Sequence, residues 1–143
     1  MKDSPDHRDE WSLKVYRPEH STEQWFFRKN LAPQAHALRR PYSFIAYLTF
    51  IYTPRDESGL PTTEDEQTLC DIEETEFENL ERDGVAVHVA SATKSGIRDF
   101  LFYTSDPKEF LRRAQQFRTG YAQFQVGCEI APDPDWNHYR DFP

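Results

Sequence analysis

Between residues 43 and 130 the chain changes its hydrophobic period in a fixed order, and that order restricts the folds open to it more than any other feature. SFIAYLTFIY (43–52) is rich in aromatic and β-branched side chains, the composition of a strand. Pro61, Thr62 and Thr63 then open an acidic amphipathic stretch that Gly84 closes, which predicts a helix. VAVHVAS and GIRDFLFYT read as two strands about the turn ATKSG. Asp106, Pro107 and Glu109 supply a cap, a first-turn proline and an acidic first turn for a second helix ending near Phe117. YAQFQVGCEI is the last strand. The order β-α-β-β-α-β is the signature of a ferredoxin-like split βαβ unit. It predicts an α+β fold, a four-stranded antiparallel sheet with both helices on one face.

Upstream, WSLKV and QWFFRK flank the turn RPEHSTE and read as an added N-terminal hairpin. A chain of 143 residues suits one domain with a real core. Its parts are a flexible tail (1–10), the hairpin (11–30), the βαββαβ core (43–130) and an aromatic C-terminal latch (131–143). Residues 30–42 form a connection with room for one short helical turn. In the latch, Trp136, Tyr139 and Phe142 recur every three residues, a spacing that predicts packing.

The strands carry apolar residues on both faces, whereas a sheet with one face in water alternates apolar and polar. Phe44, Ala46, Leu48 and Phe50 share one side of the first core strand, and Ile45, Tyr47 and Ile51 share the other. Two helices cover one face only. The second needs the hairpin with Trp11, Trp25, Phe26 and Phe27, the C-terminal aromatics, a second subunit or a partner. The hairpin is the favoured cover, because exposed apolar area costs roughly 25 cal/mol per Å². A homodimer burying its spare face is the alternative that sizing in solution would reveal.

Arg98 and Asp99 stand side by side in the otherwise apolar run GIRDFLFYT. On a helical wheel Leu69, Cys70, Ile72, Phe77 and Leu80 form one stripe with Glu73 near its centre. A carboxylate there is costly unless paired. Arg98 shares a strand face with Phe100 and Phe102, so the expectation is an internal Glu73–Arg98 ion pair, with Asp99 meeting Arg28 or Lys29 of the hairpin. The enzymatic alternative gathers Glu73, His88, Arg98 and Tyr103 as acid–base groups in a cleft.

Other signals of chemistry are weak. The five glycines do not cluster into a phosphate loop, and neither GxSxG nor HExxH occurs. His7, His20, His36, His88 and His138 are scattered, and only His88, between Val87 and Val89, sits within a strand pattern. Cys70 and Cys128 have no metal or redox spacing and read as reduced core thiols. These readings imply no cofactor, no metal and no catalytic residue. The opening residues hold no apolar run for a signal peptide and no segment reaches membrane-spanning length, so the expected location is the cytoplasm.

The strongest asymmetry is acidic. Net charge is −8, which disfavours nucleic acid as a direct ligand. From Asp56 to Glu81 there are eleven acidic residues and no basic one. Glu64, Asp71, Glu74, Glu78 and Glu81 share the side opposite the apolar stripe, and Asp56 and Glu57 extend the charge into the preceding loop. Like charges at the 71, 74, 78 spacing disfavour the helix by roughly 0.2–0.5 kcal/mol per pair. Such a ridge suits a basic protein partner and speeds encounter with it. The plainer reading is a solvated face, partly balanced by Lys108, Arg112 and Arg113 on the next helix.

GLP (59–61) before an acidic helix with Leu69 and Glu73, GIRDFLFY, and the closing DPDWNHY together resemble a bacterial family catalogued as domain of unknown function 695, over roughly residues 43–140. That family is similar to the ferredoxin-like regulator of ribonuclease E activity (B type), an inhibitor of a major endoribonuclease. The resemblance implies an acidic, non-enzymatic protein that acts by binding, and it supplies no catalytic residue. The expectation is an inhibitor of another protein, most concretely a bacterial immunity protein or antitoxin-like neutraliser of a toxin or enzyme. Regulation of a cytosolic ribonuclease is an alternative, as is a small-ligand protein or enzyme using Glu73, His88 and Arg98.

Overall fold

A computed structural model describes residues 10–33 and 42–143. Of the tail expected over 1–10 and the connection expected over 30–42 with its helical turn, residues 1–9 and 34–41, with His7 and His36, lie outside the described residues. The elements are β1 (Trp11–Tyr16), β2 (Trp25–Asn30), β3 (Phe44–Ile51), α1 (Thr63–Ile72), a π-helical turn (Glu73–Phe77), α2 (Glu78–Arg82), β4 (Ala86–Lys94), β5 (Ile97–Thr104), α3 (Pro107–Gly120), β6 (Gln125–Pro132) and α4 (Asn137–Asp141). The fold is mixed α+β. All six strands pair antiparallel in one sheet of order β1-β2-β4-β5-β3-β6.

Local chemistry sets the helix starts. Thr62 caps α1 by accepting the Asp65 N–H at 3.2 Å, and Asp106 caps α3 by accepting the Glu109 N–H at 3.1 Å. Pro107 begins α3 where its missing N–H is no loss. Gly84, at φ 73°, ends α2 in the left-handed region that glycine enters without strain.

The core has two layers, one on each face of the sheet. On the helix face, Ala46, Leu48, Phe50, Phe100 and Phe102 pack against Leu69, Ile72, Phe77 and Leu80 of the first helix and Phe110, Ala114 and Phe117 of α3. On the second face, Ile45, Val87, Leu101 and Tyr103 are covered by Tyr42, Trp136, Tyr139 and Phe142. Trp136 stacks on Tyr103 with ring centroids 4.1 Å apart, and its indole N–H donates to the Tyr42 carbonyl at 2.8 Å. The Tyr103 hydroxyl donates to Asp133 at 2.6 Å, and burial with that contact raises the Tyr103 pKa.

The hairpin is therefore not the lid of the second face. It extends the sheet, with β2 paired to β4 in the register Phe26↔Thr93 and Arg28↔Ser91. The unsatisfied backbone groups of the β4 edge outweigh apolar burial in placing it, because each needs a hydrogen-bond partner. The segment after β6 takes the covering role, tied to the hairpin by Lys29 Nζ donating to the Phe142 carbonyl and the Tyr139 hydroxyl donating to that of Asn30.

A candidate ligand groove beside the first helix

Two helices cover the four strands β3–β6, so extending the sheet by a hairpin leaves a shelf on the helix face. Trp11, Leu13 and Val15 of β1 pair with Asn30, Arg28 and Phe26 of β2 and point to that side. Leu13 is 60% exposed and Val15 45%, so the shelf is apolar and open. The groove over it has a volume of about 450 Å³. Its floor is Phe26, Arg28, Ser91, Thr93 and Arg98, and its wall is Glu66, Gln67, Cys70 and Glu73.

Its end is the loop 55–61. Gly59 has φ 81°, and a Cβ there would meet the Ser95 backbone nitrogen at 3.1 Å. Only glycine lets this loop lie backbone to backbone on the β4–β5 turn, where the Gly59 carbonyl accepts the Gly96 N–H at 3.1 Å and the Tyr52 hydroxyl at 2.7 Å. Leu60, Pro61 and Arg55 are thereby turned to the groove.

The charged residues pair differently from the sequence expectation. Glu73 is held by Arg28, whose Nη1 donates to both carboxylate oxygens at 3.1 and 2.9 Å. Arg98 is held by Glu66, through Nη2 at 2.8 Å and Nη1 at 3.3 Å, while its Nε donates to Thr93 at 2.7 Å. The expected Glu73–Arg98 pair is thus replaced by two separate pairs. The cause is the π-helical turn. Ile72 and Phe77 are both buried five residues apart, a step too long for one α-helical turn, and the wide turn absorbs the extra residue. A wheel at 100° per residue centred the stripe on Glu73; the wide turn rotates Glu73 out toward the hairpin.

Asp99 faces the other side of the sheet, as strand alternation requires. It meets neither Arg28 nor Lys29: the Thr49 hydroxyl donates to it at 2.5 Å. His88 stands apart from the groove in an aromatic cage. Its ring lies 5.0 Å from those of Trp11, Phe77 and Phe102. It is 5% exposed, and its Nε2 donates to the Ala90 carbonyl at 3.1 Å, which fixes that nitrogen as the protonated one. Burial, helped by the Arg28 charge, pushes its pKa down to about 3. Tyr103 is on the opposite face, beneath Trp136. Glu73, His88, Arg98 and Tyr103 therefore do not converge.

Two titrating groups of the groove are held away from their ordinary values. Burial raises Glu66, but the bonds from Arg98 outweigh it and hold the carboxyl below its usual value. Burial and the Glu66 carboxylate together push the Cys70 thiol up to about 11, so it stays protonated and donates to Glu66 at 3.3 Å. Cys128 is likewise raised to about 11 by burial. Among the described residues no group of three or more His, Cys, Asp or Glu is placed to hold a metal ion.

The acidic ridge is on the outside of the same helix. Glu64, Asp71, Glu74 and Glu78 are exposed, as are Asp56 and Glu57 in the loop. Glu81 departs from the ridge: half-buried, it accepts the His88 backbone N–H at 3.0 Å, where β4 bulges between His88 and Ala90. That bulge had no signal in the alternating sequence.

A sequence profile described as "Family of unknown function (DUF695)" matches residues 9–142, hairpin and latch included. The chain belongs to this family. Two of the stretches that carry the resemblance, Gly59–Pro61 and Gly96–Tyr103, meet at the groove of this DUF695 protein, and the third forms the latch. No curated protein and no solved structure matches the chain. No helix among the described residues is long and apolar enough to cross a membrane.

Proposed function

We propose that this DUF695 protein is a protein-binding inhibitor, an immunity protein or antitoxin-like neutraliser, that engages a basic surface through the outer face of its first helix. The observation carrying this reading is where the nearby cations are used. Arg112 is spent on Glu109 at 2.6 Å, and Arg113 bridges Glu109 and Asp83, each at 2.8 Å. Neither balances the ridge. Among the described residues Glu64, Glu74 and Glu78 have no cationic partner, and the Asp71 carboxylate accepts only from Gln67, at 3.0 Å. A rigid row of uncompensated carboxylates costs helix stability and steers a cationic partner toward it.

The same reading takes 43–130 as a ferredoxin-like core. Its support is the antiparallel order β4-β5-β3-β6 and the packing of both long helices on one face. Such a frame gives the ridge a stiff backing, so little order has to be gained on binding.

Co-purification with the neighbouring gene product at low salt tests the proposal. Reversing charge at Asp71, Glu74 and Glu78 should abolish capture and leave the melting temperature nearly unchanged. Capture that survives the triple reversal, or none from the wild type, would count decisively against it.

A further inference from the structure

We infer that the groove between the hairpin shelf and the first helix binds a small organic anion, a carboxylate carried on an apolar body. The argument is a count of hydrogen-bonding groups already used. Both oxygens of Glu73 are taken by Arg28, and both oxygens of Glu66 by Arg98, with Cys70 as a further donor. Both groove carboxylates are thus already paired with a guanidinium. The guanidinium donors are not all used. All Arg98 nitrogens are engaged, but Arg28 uses only Nη1, leaving its Nε and Nη2 without an acceptor among the described residues. Arg55 is ion-paired with Asp56 at 3.6 Å but makes no hydrogen bond at that distance, so its N–H groups are open too.

Three guanidinium groups line the groove against two carboxylates, and Asp56 beside Arg55 supplies the third, so the site is near balance within a chain of net charge −8. Arg28 is held in place from two sides, by Glu73 and by stacking 4.7 Å over Trp11. A guanidinium positioned by other contacts is prepared to take a carboxylate through its open edge with little loss of side-chain freedom. The apolar part of the surface is Leu13, Phe26, Leu60 and Pro61, beside the uncharged Thr63, Gln67, Ser91 and Thr93. The volume of about 450 Å³ lies at the small end for organic ligands. Neutral Cys70 and the engaged Arg98 offer no further charge. A cation would find only carboxylates that are already paired.

The site shares no residue with the exposed ridge, so the two proposals stand or fall separately. The test titrates the full chain with 3-phenylpropionate and, separately, with its uncharged primary amide, by calorimetry and by NMR shifts at Leu13, Phe26 and Cys70. The expected result is saturation by the carboxylate, with the amide at least about tenfold weaker. Arg55→Gln should weaken the carboxylate about tenfold and leave the amide unchanged, whereas Glu74→Lys on the ridge should alter neither. Equal binding of acid and amide, tighter binding of phenethylammonium, or no saturation by the carboxylate up to about 10 mM would overturn the inference.

Discussion

His88 makes acid stability the sharpest test of the interior. The ring is neutral in the folded chain and would have to gain a proton inside a cage of Trp11, Phe77, Phe100 and Phe102, with Arg28 the charge bearing on it. Its folded pKa, about 3, is depressed below the unfolded value of 6.5. Above pH 6.5 both states are neutral and the residue contributes no pH dependence. Below it the unfolded chain takes a proton that the folded chain refuses, so stability falls by about 1.4 kcal/mol per pH unit until about pH 3. At pH 5 the loss is about 2 kcal/mol, a drop in Tm of roughly 6–8 °C. The depressed carboxyls of Glu66 and Asp133 act lower, since their stabilisation is lost only as pH falls below their unfolded values of 4.5 and 3.8. Urea unfolding at pH 7 and pH 5 isolates the histidine, with His88→Gln as the comparison because it keeps a donor and cannot titrate. The wild type should lose about 2 kcal/mol more than the variant. Parallel losses in the two proteins would refute the neutral, caged histidine.

The ion-pair assignment predicts couplings of about 1 kcal/mol in double-mutant cycles for Arg28 with Glu73 and Arg98 with Glu66, and none for Glu73 with Arg98. Glu74→Lys should raise stability by about 0.5 kcal/mol by relieving repulsion with Asp71 and Glu78, read by urea titration. Deleting Glu74 shortens the Ile72–Phe77 step to an α-helical one, so circular dichroism should show a folded protein, whereas deleting Thr68 from α1 should unfold it. Trp136→Ala should cost roughly 2–3 kcal/mol, because it strips the stack from Tyr103 and opens the second face.

Element order, helix starts and the two apolar faces were legible in the sequence because each rests on local chemistry: Pro61 to Thr63 opening one helix, Asp106 as a cap, Pro107 in a first turn, and apolar residues on both sides of 44–51. The site was legible only as a set of residues. Glu73 and Arg98 do line one groove, but their partners depended on the π turn, whose only trace is the five-residue step from Ile72 to Phe77. Glu66, Arg28 and Arg55 were missed as groove residues because each lies in an ordinary polar context, and only the sheet extension brings them together. The hairpin's position was misread for a different reason. Apolar counting ranked it as a cover, but the pairing of β2 with β4 is a backbone demand that side-chain pattern does not record.

Tying Lys29 and Asn30 to Phe142 and Tyr139 has a consequence for how the chain matures. The two segments are joined across more than a hundred residues, so a nascent chain that stops short of Phe142 has its sheet elements complete and one broad side still wet. Val87, Leu101 and Tyr103 would then be open to chaperones or to a neighbouring copy. That side is closed only when the segment after β6 folds back upon the hairpin.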